Sequence, residues 1–276
     1  MRILLTGAGG GLGRAFLEVV APHHDVIPCT HADLDIGDHA DVVATVNEAA
    51  PGLIVNAAGF TAVDANETDP ARAFRDNAQG PQSLAIAADA CGATLVHVST
   101  DFVFDGTKGS PYDEVDDPHP INVYGRAKLL GERLVRGALR EHVIVRTASV
   151  FGGGEDHLSR QLARLRAGED AAGLADRVGS PTYVRHLAER VVPLALTRRF
   201  GTYHLAGPEP TSWYDLVVRC RDLGGFGGAV ERQTTADLGL PAPRPANSAL
   251  ASVLVENLSI SPMPALDAAL ADLLAR

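Results

Sequence analysis

Lysine is nearly missing from this sequence: only residues 108 and 128 of 276 are lysine, and acid outnumbers base, 34 Asp and Glu to 24 Lys and Arg. The resulting formal net charge of −10 works against binding nucleic acid or an anionic membrane. An anionic ligand must then be held locally, by arginines and backbone amides. Cysteine is scarce too. Cys29, Cys91 and Cys220 are odd in number and far apart, without disulfide or metal spacing. They predict reduced, buried thiols, a cytoplasmic protein and no metal site. Aromatic residues make up 5% of the chain, with a single Trp, Trp213, which is read as core. No apolar run is long enough for a membrane span. The N-terminal one breaks into glycines after a few residues, which does not fit a signal peptide. The ten histidines are scattered, with His23-His24 the only adjacent pair, and are read as surface or loop positions.

Apolar residues, at 46%, suffice for a sizeable core in one domain or two lobes. Met1-Arg2-Ile3-Leu4-Leu5-Thr6 is followed by Gly7-Ala8-Gly9-Gly10-Gly11-Leu12-Gly13 and then by apolar positions at Leu12, Phe16, Leu17 and Val20. That is strand, tight turn and helix. Gly7, Gly10 and Gly13 are spaced to bring backbone against a pyrophosphate at the helix N-terminus. Strand-like runs recur at Ile3–Thr6, Val26–Cys29, Leu53–Asn56, Thr94–Ser99, Val143–Arg146 and Thr202–Leu205. Helical stretches fall between them at 11–20, 38–49, 70–91, 122–138 and 183–197.

This alternation predicts an α/β fold, a doubly wound Rossmann-type parallel sheet with helices on both faces. Beyond residue 150 the glycine and proline clusters predict short elements in a smaller, interleaved substrate-binding lobe. Residues 1–148, completed by about 182–206, would form the dinucleotide-binding domain, and 149–181 with 207–276 the lobe. A last helix is expected from about Pro264, with Leu266, Leu270 and Leu273 inward.

Tyr124 stands four residues before Lys128. On a helix this puts a phenol and an ammonium on one face, which favours the phenolate and should lower the phenol pKa. A phenol tuned in this way can give a proton to a developing alkoxide. Ligands in such sheets lie at the carboxyl ends of the strands, where Asn56-Ala57-Ala58-Gly59, Ser99-Thr100-Asp101 and Arg146-Thr147-Ala148-Ser149 fall. The second strand ends in Thr30-His31 without an acid, so nothing there should repel a 2′-phosphate.

These motifs, with Asn56 to Asp64, Ser99 to Gly106, Asn122 to Lys128, Gly179-Ser180-Pro181-Thr182, Tyr203 to Gly207 and Arg244-Pro245-Ala246-Asn247-Ser248, resemble those of the extended short-chain dehydrogenase/reductases. Within them the chain resembles the dTDP-4-dehydrorhamnose reductase family nearly end to end. The resemblance implies NADPH-dependent reduction of the C4 ketone of a dTDP-4-keto-6-deoxyhexose, by a monomer or homodimer, with NADH also admissible. Thr100, Tyr124 and Lys128 fall on the family's catalytic positions. Gly7, Gly10, Gly11, Leu12, Gly13, Thr30, His31, Asp35, Ile36, Ala57, Ala58 and Gly59 are the implied cofactor contacts. Thr61, Val63, Asp101, Phe102, Ser149, Arg244 and Asn247 are the implied substrate contacts, with Arg244 and Asn247 meeting the diphosphate or nucleoside.

Three departures from the family pattern stand out. Phe102 replaces a tyrosine and Ser149 replaces a tryptophan beside the sugar, so a roomier, less polar pocket and a specialised deoxysugar pathway are expected. Ala15 replaces a glutamate used in a metal-bridged dimer, so neither that metal nor that dimer is expected. A second reading is a non-catalytic NADP-binding regulatory subunit resembling the methionine adenosyltransferase β subunit. Retention of Thr100, Tyr124 and Lys128 together favours an enzyme.

Overall fold

In the computed structural model, which describes Met1–Arg276, the strands are β1 (Arg2–Thr6), β2 (Asp25–Cys29), β3 (Leu53–Asn56), β4 (Thr94–Thr100), β5 (His142–Thr147), β6 (Val150–Phe151), β7 (Ala171–Leu174), β8 (Val178–Gly179), β9 (Thr182–Tyr183), β10 (Gly201–His204), β11 (Thr211–Ser212) and β12 (Val230–Gln233). The helices are α1 (Gly11–Val20), α2 (His39–Ala49), α3 (Val63–Thr68), α4 (Pro70–Phe74), α5 (Gly80–Cys91), α6 (Val123–Ala138), α7 (His157–Arg166), α8 (Val184–Leu196), α9 (Trp213–Gly224), α10 (Thr235–Leu238) and α11 (Leu266–Leu274). Six strands form one parallel sheet in the order β10-β5-β4-β3-β1-β2. Its central strands are almost wholly buried, because helices cover both faces. The α/β sheet expected from the alternating pattern is the sheet found.

On one face α1 and α8 join a cluster of 32 buried apolar residues that also takes in Leu158 and Leu162 of α7, Leu216 and Val217 of α9, and Leu266 and Leu270 of α11. The C-terminal elements therefore share the core of the sheet. On the other face α2, α5 and the end of α6 enclose 17 more. No helix is long and apolar enough to cross a membrane.

Several expectations need correction. The helix predicted over 70–91 is α4, a π-helical turn over Arg75–Gln79, and α5. Pro81 has no N–H to donate and its ring crowds the carbonyl a turn back, so the chain widens there. In the C-terminal part α7 and α9 are full helices of 10 and 12 residues rather than short pieces. Leu273 is only half-buried, whereas Leu266 and Leu270 are buried. Cys91 is exposed, unlike Cys29 and Cys220. Three histidines are core residues. His97 pairs with Asn56, His186 with Asp272, and His204 with the carbonyls of Tyr112 and Ala251. Trp213 packs on the main cluster, with its ring edge-on to His157.

Candidate active site

The order of the sheet turns over between β1 and β3, and a crevice at their carboxyl ends is where an open parallel sheet binds ligand. Gly7 follows β1 with φ +73°, and a Cβ there would lie 2.6 Å from the Ala57 carbonyl carbon. A Cβ on Gly13 would lie 2.2 Å from the Gly7 carbonyl oxygen. Glycine alone allows turn, helix and the β3 exit to nest this closely. Gly10 caps α1 without a side-chain hydrogen bond, so the first amides of α1 lack a side-chain partner. Such a turn fits the pyrophosphate of a dinucleotide. Gly11 packs on Gly153, and Arg14 donates to the carbonyls of Gly9 and Gly153, which brings the 152–154 loop over the same turn. Leu12 is half-buried beside it.

At the end of β2, Thr30 and His31 are exposed. The Thr30 amide and hydroxyl donate to the Asp33 carboxylate at 2.8 and 2.7 Å. These bonds hold Asp33 below the usual carboxylate range. The nearest acid, three residues beyond Thr30, is thus engaged by Thr30 itself. Asp35 accepts from Gly37 N–H and from the Arg75 guanidinium, and Ile36 is buried against Gly80.

Thr100 closes β4, and Tyr124 and Lys128 lie one turn apart on α6. Asn122 caps that helix, accepting from the Gly125 N–H at 2.7 Å and donating to the Pro243 carbonyl at 2.8 Å. Gly125 lets α6 approach the 3₁₀ turn Asp101–Val103, since a Cβ there would lie 2.1 Å from the Phe102 carbonyl oxygen. The Thr100 hydroxyl favours the Tyr124 phenolate, against the larger effect of burial, and the Tyr124 ring meets Phe102 edge-on at 5.9 Å. Thr100 accepts from the Phe102 N–H at 3.2 Å and donates to Asp101 at 3.0 Å. The Ser248 hydroxyl donates to the other Asp101 oxygen. Lys128 donates to the Val98 carbonyl at 2.6 Å.

Burial sets the titration of this group. It pushes Tyr124 up to about 12 and Asp101 up to about 6. It also pushes Lys128 down to about 8, against the pull of Glu132. Thr100 favours the phenolate and Asp101 disfavours it, both less strongly than burial. The expected lowering of the phenol by i,i+4 spacing is therefore corrected. Desolvating a phenolate costs more than an ammonium turned toward the Val98 carbonyl returns. At neutral pH the phenol keeps its proton.

On the substrate side, Thr61 is exposed and Val63 starts α3. Ser149 is half-buried with φ +46°, and its hydroxyl lies where a Cβ on Gly179 would fall. Phe151 is fully buried and stacked on Tyr183, while Phe60 lies under the Arg72 guanidinium. Arg244 forks onto Asp64, with both N···O distances 2.6 Å, and also donates to the Ala242 carbonyl. Three of its five N–H groups are thus engaged within the protein. Asn247 accepts from the Ala249 N–H and bridges to Val178 of β8.

Sequence reasoning missed the residues that hold these loops. Asn77, in the π turn, accepts from the Phe60 N–H and donates to the Phe60 carbonyl, and Asn66 donates to the carbonyls of Phe60 and Ala62. Together they fix the loop after β3. The buried carboxylate of Glu132 accepts from Ser99, Arg146 and Arg136 behind Lys128. Fully buried polar residues within helical apolar runs are the signal that could have flagged Asn66, Asn77 and Glu132. No cluster of metal-ligating side chains is present.

A family model described as the RmlD substrate binding domain matches residues 1–276. The chain is 36% identical over 264 residues to a dTDP-4-dehydrorhamnose reductase of Aggregatibacter actinomycetemcomitans, covering 90% of each chain. Among solved structures it is similar to a Bacillus anthracis dTDP-4-dehydrorhamnose reductase in complex with NADP. There the TM-score is 0.95 at 31% identity, covering 99% of this chain and 98% of that one. A dTDP-4-dehydrorhamnose reductase of Clostridium acetobutylicum superposes with a TM-score of 0.94 at 35% identity, over 100% of both chains.

Proposed function

The chain belongs to the RmlD substrate-binding-domain family, and from that premise we propose that it is an NADPH-dependent reductase of the C4 ketone of a dTDP-4-keto-6-deoxyhexose. NADPH supplies the hydride when bound, and the glycine turn after β1 is the place for its pyrophosphate. The observation that carries the catalytic reading is the close packing of α6, at Gly125, on the Asp101–Val103 turn that follows β4, with the buried Tyr124 ring edge-on to Phe102. Tyr124 gives its proton to the ketone oxygen as that oxygen gains charge. Asp101 holds the Thr100 hydroxyl beside it, and Ser248 holds Asp101 in turn. Lys128, still largely charged at neutral pH, favours the phenolate left after transfer and hydrogen-bonds the nicotinamide ribose. A regulatory subunit has no need of this constellation.

The finer reading concerns the sugar. With Ser149 in place of an indole, the pocket admits a bulkier or more deoxygenated ring than rhamnose. This supports a role in a specialised deoxysugar pathway. The test is a panel of dTDP-4-keto-6-deoxyhexoses, followed by NADPH oxidation and by the product's configuration at C4. A non-rhamnose sugar is expected to give the highest kcat/KM, and Ser149→Trp should move the preference toward the rhamnose precursor. If the rhamnose precursor is already best and Ser149→Trp changes nothing, the pocket reading fails while the reductase reading stands.

A further inference from the structure

Arg177 and Arg244 lie near enough to feel each other's charge, and their surroundings differ. Arg244 is held by Asp64 and by the Ala242 carbonyl through three of its five N–H groups. Arg177, just before β8, makes neither a hydrogen bond nor an ion pair, and its Nε is buried without a partner. The acids within reach are engaged elsewhere. Asp176 accepts from the Thr235 amide and hydroxyl, and Asp101 accepts from Ser248 and Thr100. Burial and the neighbouring Arg244 push Arg177 down to about 10, with Asp176 and Asp101 only partly offsetting them. It therefore stays charged at neutral pH.

A partly buried guanidinium with an unsatisfied N–H is costly unless a ligand completes it. The place of Arg177 in the fold says which ligand. Val178, the next residue, donates to the Ala246 carbonyl and accepts from the Ser248 amide. That locks Arg177 beside the 244–248 segment and the Asp101–Thr100–Tyr124 chain. A planar fork of free donors next to a ketone-reducing centre, in a chain of net charge −10, is suited to a bidentate phosphate.

We propose that Arg177, and not Arg244, supplies the guanidinium that binds the diphosphate of the nucleotide-sugar substrate. This rests on the nucleotide-sugar reading above. Freeing Arg244 for the same task would strand the Asp64 carboxylate, whereas Arg177 has no bond to break. Arg244 instead fixes the 241–248 loop to α3.

The test is calorimetric titration of the full-length wild type, Arg177→Gln and Arg177→Lys with dTDP, thymidine, inorganic pyrophosphate and NADPH. Arg177→Gln should weaken dTDP and pyrophosphate about 10- to 100-fold, the range for losing hydrogen bonds to a charged group. It should leave thymidine and NADPH within about 2-fold, which also shows that the variant is folded, and Arg177→Lys should recover part of the loss. Steady-state KM for the nucleotide sugar should rise while kcat changes little. If wild type binds dTDP and Arg177→Gln binds it equally well, the inference is overturned and the reductase reading stands. If wild type binds pyrophosphate through Arg177 but shows no preference for dTDP, Arg177 is a diphosphate site, but the nucleotide-sugar reading and the inference as stated both fall. If wild type binds neither, both fall.

Discussion

Tyr124 and Lys128 share a face of α6, yet burial rather than their proximity decides how each titrates. The lysine carries the larger consequence for stability. Holding its proton in the folded chain at about 8 rather than 10.5 costs on the order of 3 kcal/mol while both folded and unfolded chains are protonated. Lys128→Met should therefore raise the unfolding free energy at pH 7 by roughly 1–3 kcal/mol while depressing turnover. Below pH 8 the difference should be constant. Between pH 8 and 10.5 the folded wild type releases the proton before the unfolded chain does, its relative stability rises, and the gap should close. Urea melts of both proteins from pH 6 to 10.5 measure this, and a gap that does not change with pH would contradict the burial of a charged lysine. The trio of Thr100, Tyr124 and Lys128 was legible in sequence because it lies in short contiguous motifs. The Arg244–Asp64 pair, 180 residues apart in sequence, was not, and without it Arg244 read as free.

At the scale of elements, legibility followed covering and length. β1, β3 and β5 are uninterrupted apolar runs ended by glycine or polar residues, so their boundaries could be read to within a residue or so. β6, β8, β9 and β11 are two residues each, too short to show any periodicity, and they exist because neighbouring segments pair with them. α7 does carry leucines at helical spacing, Leu158, Leu162 and Leu165. Its flanking glycine clusters hid it. α6 shows how an element places chemistry. Its close approach to the Phe102 carbonyl requires Gly125, so Gly125→Ala must push the helix away from Thr100. We expect a stability loss of about 1–3 kcal/mol from overpacking and a turnover loss on the order of 100-fold from misplacing the phenol. Denaturant melts and kcat for this single variant check both. A fully active Gly125→Ala would show that the phenol position is not set by this contact.

Across the whole molecule, the sequence pattern suggested two lobes, but the packing joins them. Leu270 of α11 and Ile3 of β1 belong to one apolar cluster, and only the folded chain brings residues so distant in sequence together. Leu270→Ala should cost about 2–5 kcal/mol and lower one common unfolding transition, seen alike by circular dichroism and by loss of NADPH binding. Two separated transitions would mean that the C-terminal elements melt independently of the sheet.

The central claim is that the buried, protonated Tyr124 is the acid in an NADPH-dependent ketone reduction, and one experiment addresses it most directly. NADPH oxidation is followed with a dTDP-4-keto-6-deoxyhexose for wild type and Tyr124→Phe, alongside NADPH affinity for both. The predicted result is ketone-dependent oxidation by wild type, a loss of about 10²- to 10⁴-fold in Tyr124→Phe, and equal NADPH affinity. Wild type that consumes no NADPH with any such ketone, or a Tyr124→Phe variant as fast as wild type, would contradict it.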